Sequence, residues 1–203
     1  MTAIDLSGDM GQAALALLTI NILLGLLLSV RYDPLRSWPH RQVDVFDLHN
    51  WTGYVALVAT ALHPLPLLAT ARLRFTWEQI LWPVHAPTQA WGNLMGALAL
   101  YGVALVVLSS YFRRVLGRQR WKFIHYTSYA AAILFFLHSL VLDPELLNRP
   151  VEWLDAEKVF VEACLLLVLA ATFARWRYGQ AHPQRLRVTP RTRSAQGFPG
   201  ERK

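Results

Sequence analysis

Four histidines lie in stretches of this chain otherwise suited to hydrocarbon: His49 and His63 in one, His125 and His138 in another. Thirteen residues separate the first two and twelve the second two. Imidazole is costly inside a bilayer unless it has a partner, so an intramembrane histidine is a functional residue by default. Two pairs at corresponding depths point to two haem irons, each held by one histidine from each stretch. Isolated two-histidine sites without a nearby carboxylate or cysteine suit zinc or a di-iron centre poorly.

Such ligands need long apolar helices to hold them. The chain has 203 residues, 54% of them hydrophobic. Residues 10–30, 48–71, 79–112 and 123–142 contain no Asp, Glu, Lys or Arg. Each can supply the roughly 20 residues that span a bilayer. A fifth span, Trp153–Trp176, carries Asp155, Glu157, Lys158 and Glu162 near its start. Its two tryptophans suit the membrane interfaces. The expected fold is all-α: an integral membrane bundle of about five transmembrane helices, near 11–30, 48–70, 92–112, 121–142 and 154–177. Only Asp5 and Asp9 charge the segment before the first helix, so it lacks the basic start of a cleavable signal and is expected to stay. Residues 71–91 form the longest connection, with Phe75–Trp82 expected as a short interfacial helix. Residues 1–178 form one membrane domain. Residues 179–203 are expected to be a disordered basic cytoplasmic tail, suited to anionic headgroups.

The net charge of +7 does not imply nucleic acid, because sixteen of the twenty basic residues fall in 31–47, 113–122 and the end of the chain. The positive-inside rule then predicts the N-terminus outside and the C-terminus in the cytoplasm, in the cell inner (plasma) membrane. The single cysteine, Cys164, allows no intrachain disulfide, cysteine zinc cluster or iron–sulfur site.

In this topology the second and fourth helices run parallel. His49 then pairs with His125 near the inner face, and His63 with His138 near the outer. Fourteen helical steps cover about 21 Å and thirteen about 20 Å, so the levels match. Fourteen steps return to within about 40° of the starting face, but thirteen miss it by about 140°. The fourth helix therefore needs a wide turn or kink, for which a π-bulge is one device. Pro64 should bend or end the second helix beside His63. Gly53, one turn beyond His49, would leave room for a flat ring, as would Ala56, Ala59, Ala130 and Ala131. Arg41, Arg118 and Lys122 lie near the inner histidines and are candidates to pair with propionates; Arg72 or Arg74 would serve the outer haem. Gly92 and Gly96 are spaced to let helices approach closely. His40, His85 and His182 fall in loops or the tail.

The local text, His49-x-x-x-Gly53, His63-Pro64, Trp121-x-x-x-His125-Tyr126-x-x-Tyr129 and His138-Ser139, resembles the ferric-reductase-like transmembrane domain superfamily over roughly residues 10–178. That superfamily includes ferric reductases, NADPH oxidases and the haem-binding membrane subunits of methionine-sulfoxide reductase systems. The resemblance implies that all four histidines are axial ligands of two b-type haems. It also implies transmembrane electron transfer from a cytoplasmic flavin or flavoprotein, supplied by a partner, to an extracytoplasmic acceptor such as a periplasmic redox protein. Ferric reductases usually show six helices and a cytoplasmic flavin–nicotinamide domain, whereas this chain has five spans and no G-x-G-x-x-G unit. In length it is more similar to the stand-alone sulfoxide-reductase subunit, a group that generally does not keep all four histidines. Two other readings stay open: a quinol-oxidising cytochrome b with Glu162 as proton relay, and a non-redox scaffold with structural histidines.

Overall fold

The computed structural model describes residues 2–30, 44–70, 73–143, 145–146, 150 and 152–182. The expectations for Arg41, Arg72 and His40, and for the tail from residue 183, lie outside these residues. Among the described residues the regular elements are all helical. They are α1 (Ala3–Ser29), α2 (Val45–Leu62), α3 (Trp77–Leu81), α4 (Ala90–Tyr111), α5 (Arg113–Leu116), α6 (Arg118–His125), α7 (Thr127–Val141) and α8 (Ala156–Ala181). Five spans are long and apolar enough to cross a membrane: α1, α2 with the 3₁₀ turn after it, α4, α6 with α7, and α8. The chain is an integral membrane helical bundle.

α1 begins eight residues before the expected start. Thr2 caps it, with the Thr2 hydroxyl accepting from the Asp5 N–H at 3.2 Å and the Asp5 carboxylate accepting from the Thr2 N–H at 2.7 Å. This reciprocal box satisfies two of the free N–H groups of a helix start, and the acidic side chain suits the positive end of the helix dipole. Asp5 and Asp9 thus lie within the helix rather than before it. α2 stops at Leu62, and Pro64 heads a 3₁₀ turn over Leu65–Ala69, as proline's missing N–H requires. α3 forms within the stretch expected at the interface, capped by Thr76 and Gln79. α5 is separated from α6 by Gly117, whose φ of 75° lies in the region that favours glycine.

α1 packs on α2, α4 on α7, and α8 on α1 and α7. The histidine-bearing helices α2 and α7 are not a closely packed pair. A core of Leu15, Leu18, Ala56, Ala99, Phe135, Phe136, Val161 and Cys164 fills the middle of the bundle. Several contacts there use small residues; a Cβ added at Gly102 would meet the Ala131 Cβ at 2.9 Å. Lipid tails give helices no hydrophobic reason to associate, so close backbone approach and van der Waals packing must hold them. Trp51, Val58, Leu105, Ile133, Leu166 and Phe173 are exposed on the spanning helices. In water such a surface would be an aggregation hazard; in a bilayer it is the lipid-facing wall.

Candidate functional site

Each histidine stands opposite its expected partner. The ring centroids of His49 and His125 are 6.4 Å apart, with planes at 72°. Those of His63 and His138 are 6.2 Å apart, with planes at 60°. The phase problem of the thirteen-step spacing is eased in part at Tyr126, where the fourth span is interrupted between α6 and α7. The Tyr129 N–H reaches back three residues to the Tyr126 carbonyl at 3.2 Å, and the Thr127 hydroxyl donates to the Ile124 carbonyl at 2.7 Å. The device is a tightened turn rather than a π-bulge. A 3₁₀ step advances about 20° more than an α step, which is the direction that thirteen residues need.

The rings are held from behind by α1 and α4. The His49 Nδ1–H donates to the Asn21 carbonyl at 3.0 Å. The Asn21 amide in turn donates to the His49 carbonyl at 2.5 Å and to the Thr52 hydroxyl at 2.9 Å. The His138 Nδ1–H donates to the Gly92 carbonyl at 2.8 Å. A carbonyl only accepts, so Nδ1 carries the proton in both rings and Nε2 keeps its lone pair for a metal. His125 lies against Trp121, ring centroids 5.1 Å apart, and its Nδ1 stands 3.5 Å from the Ser110 hydroxyl. The buried Nδ1 of His63 has no hydrogen-bond partner.

Small residues make room for three of the rings. A Cβ on Gly25 would lie 3.3 Å from His49 Cε1, one on Gly11 3.6 Å from His63 Nδ1, and one on Gly96 2.7 Å from His138 Cε1. Gly11 and Gly25 are spaced as His49 and His63 are, with thirteen residues between, and so are Gly96 and Ser110. On antiparallel neighbours this spacing sets one small residue beside each histidine. The pair α1 and α2 is thus the counterpart of the pair α4 and α7.

Other expected site residues have different neighbours. Gly53 faces the Asn21 amide, with a Cβ there 3.3 Å from Nδ2, so the space assigned to a ring is taken by α1. Ala56 belongs to the central core and Ala131 packs on Gly102, while Ala130 is exposed. Arg118 and Lys122 are exposed on α6, the Lys122 ammonium 5.6 Å from the centroid of the Tyr126 ring. The Arg113 guanidinium, not singled out from sequence, lies 4.7 Å over the Phe46 ring, one turn before His49. Arg74 is exposed, with φ of 45°. Glu162 does not line the cavity described next.

A cavity of about 170 Å³ adjoins His63 and His138. Gly8, Gly11 and Gln12 of α1, Asn93 of α4, and Glu157 and Lys158 of α8 contribute to its wall. The Lys158 ammonium is buried, donating to the Ser139 carbonyl at 2.7 Å and the Leu142 carbonyl at 2.5 Å. It thereby caps the free carbonyls that end α7.

The donor set fits a haem at each level. An imidazole–metal bond of about 2 Å puts the metal about 3 Å from the ring centroid, so two rings on opposite sides of one ion stand about 6 Å apart. Both pairs have that spacing. Among the described residues no three His, Cys, Asp or Glu side chains gather around a common point. Two imidazoles on one iron would leave its remaining positions to a macrocycle, and α2 is not closely packed on α7.

A family model described as Ferric reductase like transmembrane component matches residues 10–136. The match takes in His49, His63 and His125 and stops two residues short of His138. No curated protein and no solved structure matches the chain.

Proposed function

We propose a transmembrane electron conduit through two b-type haems, starting from the fact that the chain belongs to the ferric-reductase-like transmembrane component family. The observation that carries the proposal is the meeting of two imidazole pairs at two levels, each about as far apart as two ligands of one iron. Haem supplies reversible one-electron chemistry when bound. His49 and His125 hold the inner site, and His63 and His138 the outer. The Asn21 and Gly92 carbonyls each hold Nδ1 of their histidine, which leaves Nε2 outside those hydrogen bonds. The apolar layer containing Leu18, Ala56 and Phe135 keeps water out between the levels. Two imidazoles on each iron would favour electron transfer over binding of an external ligand.

The basic loops put the N-terminus outside and the C-terminus in the cytoplasm of the inner (plasma) membrane. A cytoplasmic reduced flavin or flavoprotein is the donor in this reading, and an extracytoplasmic acceptor, such as a periplasmic redox partner, takes the electron. The test is the absorbance spectrum of detergent-purified protein, oxidised and dithionite-reduced, with haem quantified per chain. Two b-type haems with mainly low-spin spectra are expected. Colourless protein from haem-replete cells sinks the proposal and leaves the scaffold.

A further inference from the structure

α8 brings a charge to the outer level that the histidines do not account for. Lys158 is only 4% exposed. An ammonium has three N–H donors. Two of those on Lys158 go to the Ser139 and Leu142 carbonyls, at 2.7 and 2.5 Å, which leaves one. Both acceptors lie within one turn of His138 on α7, so the ammonium is anchored beside that histidine. Carbonyls cap the bond donors but do not cancel the charge. A buried charge is costly unless an anion meets it.

Lys158 forms part of the wall of the cavity beside His63 and His138. On the reading above, that cavity belongs to the outer haem. Among the described residues that line it, Lys158 is the only Lys or Arg and Glu157 the only Asp or Glu. Glu157 precedes Lys158 on α8 and stands about 100° round the helix from it. Arg74, expected from sequence to serve the outer haem, is exposed and does not line this wall. A b-type haem has apolar faces and carries its carboxylates, the propionates, along one edge. Inside a membrane such groups need a partner.

We propose that Lys158 receives a propionate of the outer haem through its remaining N–H, which makes α8 part of the outer site. The pairing rests on the two-haem reading above. It lies beyond the residues that the family model matches, which end at 136.

The test is competition between haem b and its dimethyl ester, in which the carboxylates are blocked, for the full-length apo-protein. His49→Ala combined with His125→Ala removes the inner site, so absorbance reports the outer one alone. With Lys158 in place, haem should be preferred to the ester. Lys158→Met should cut that preference about ten- to a hundredfold, the worth of one charge-assisted hydrogen bond. The ratio compares two ligands on one protein, so a general loss of stability cancels, and the two proteins with two ligands close a cycle that isolates the pair. An undiminished preference in Lys158→Met overturns the pairing. So does equal binding of haem and ester with Lys158 in place, a result that needs no substitution of Lys158 and stands even where Lys158→Met does not fold. Either result, with two haems still bound per intact chain, leaves the conduit standing. No haem at the outer site with His63, His138 and Lys158 all present overturns the pairing and the two-haem reading together.

Discussion

The two histidine levels have nearly the same ring separation and different support. At the level of His49, one residue of α1, Asn21, holds the ring through its backbone carbonyl and the helix through its amide. Across from it, His125 is wedged by Trp121. At the level of His63, one ring is locked on Gly92 and Gly96 while the other is loose and faces a cavity. Equal ring spacing therefore does not mean equal support. The metal-facing distance is a property of helix placement, whereas ligand strength depends on what holds the far side of the ring.

Substitutions at the outer level should expose this inequality most strongly. His138→Ala is expected to lose one haem of two, by pyridine haemochrome assay. His63→Ala should keep a haem on His138 alone, seen as a high-spin band. Equal haem loss in the two variants would break the comparison. At the inner level, Asn21→Ala removes the bonds to the His49 carbonyl and to Thr52 while leaving the carbonyl that holds Nδ1. Loss of such supporting contacts typically costs about ten- to a hundredfold in affinity, and apo-protein titration with haem should show it for the inner site alone. The smallest effect concerns Gly53. Gly53→Ala pushes lightly on the Asn21 amide and gains up to about 1 kcal/mol of helix propensity, so thermal stability should change little and haem content not at all. A fall in haem content would restore Gly53 to the ring's edge.

The spans, the stop at Pro64 and the pairing partners were legible from charge-free runs and histidine spacing, because a bilayer restricts helices more tightly than water does. The start of α1 was not, since Asp5 and Asp9 look like a boundary by charge count yet favour a helix N-terminus by dipole. Asn21 and Gln12 sit inside an uncharged run and were passed over. An intramembrane amide needs a partner, which was the available signal. So was the spacing of Gly11 and Gly25, which matches that of the histidines on the next helix. The exchange of ring space at Gly53 for an amide could not be read, because it depends on which neighbour α2 packs against. The need for a distortion in the fourth span was legible; its form at Tyr126 was not.

α8 stands apart from this plan. It supplies no histidine and lies beyond the matched residues, yet it brings Lys158 to the end of α7 and Glu157 to the cavity wall. Chains are made from the N-terminus onward. All four imidazoles, with the helices that back them, therefore leave the ribosome before α8 does. If the four histidines hold haem as proposed, α8 would be a cover added over an assembly already complete in its ligands, and biogenesis would offer a stage at which a large planar cofactor could enter sideways before the bundle is shut.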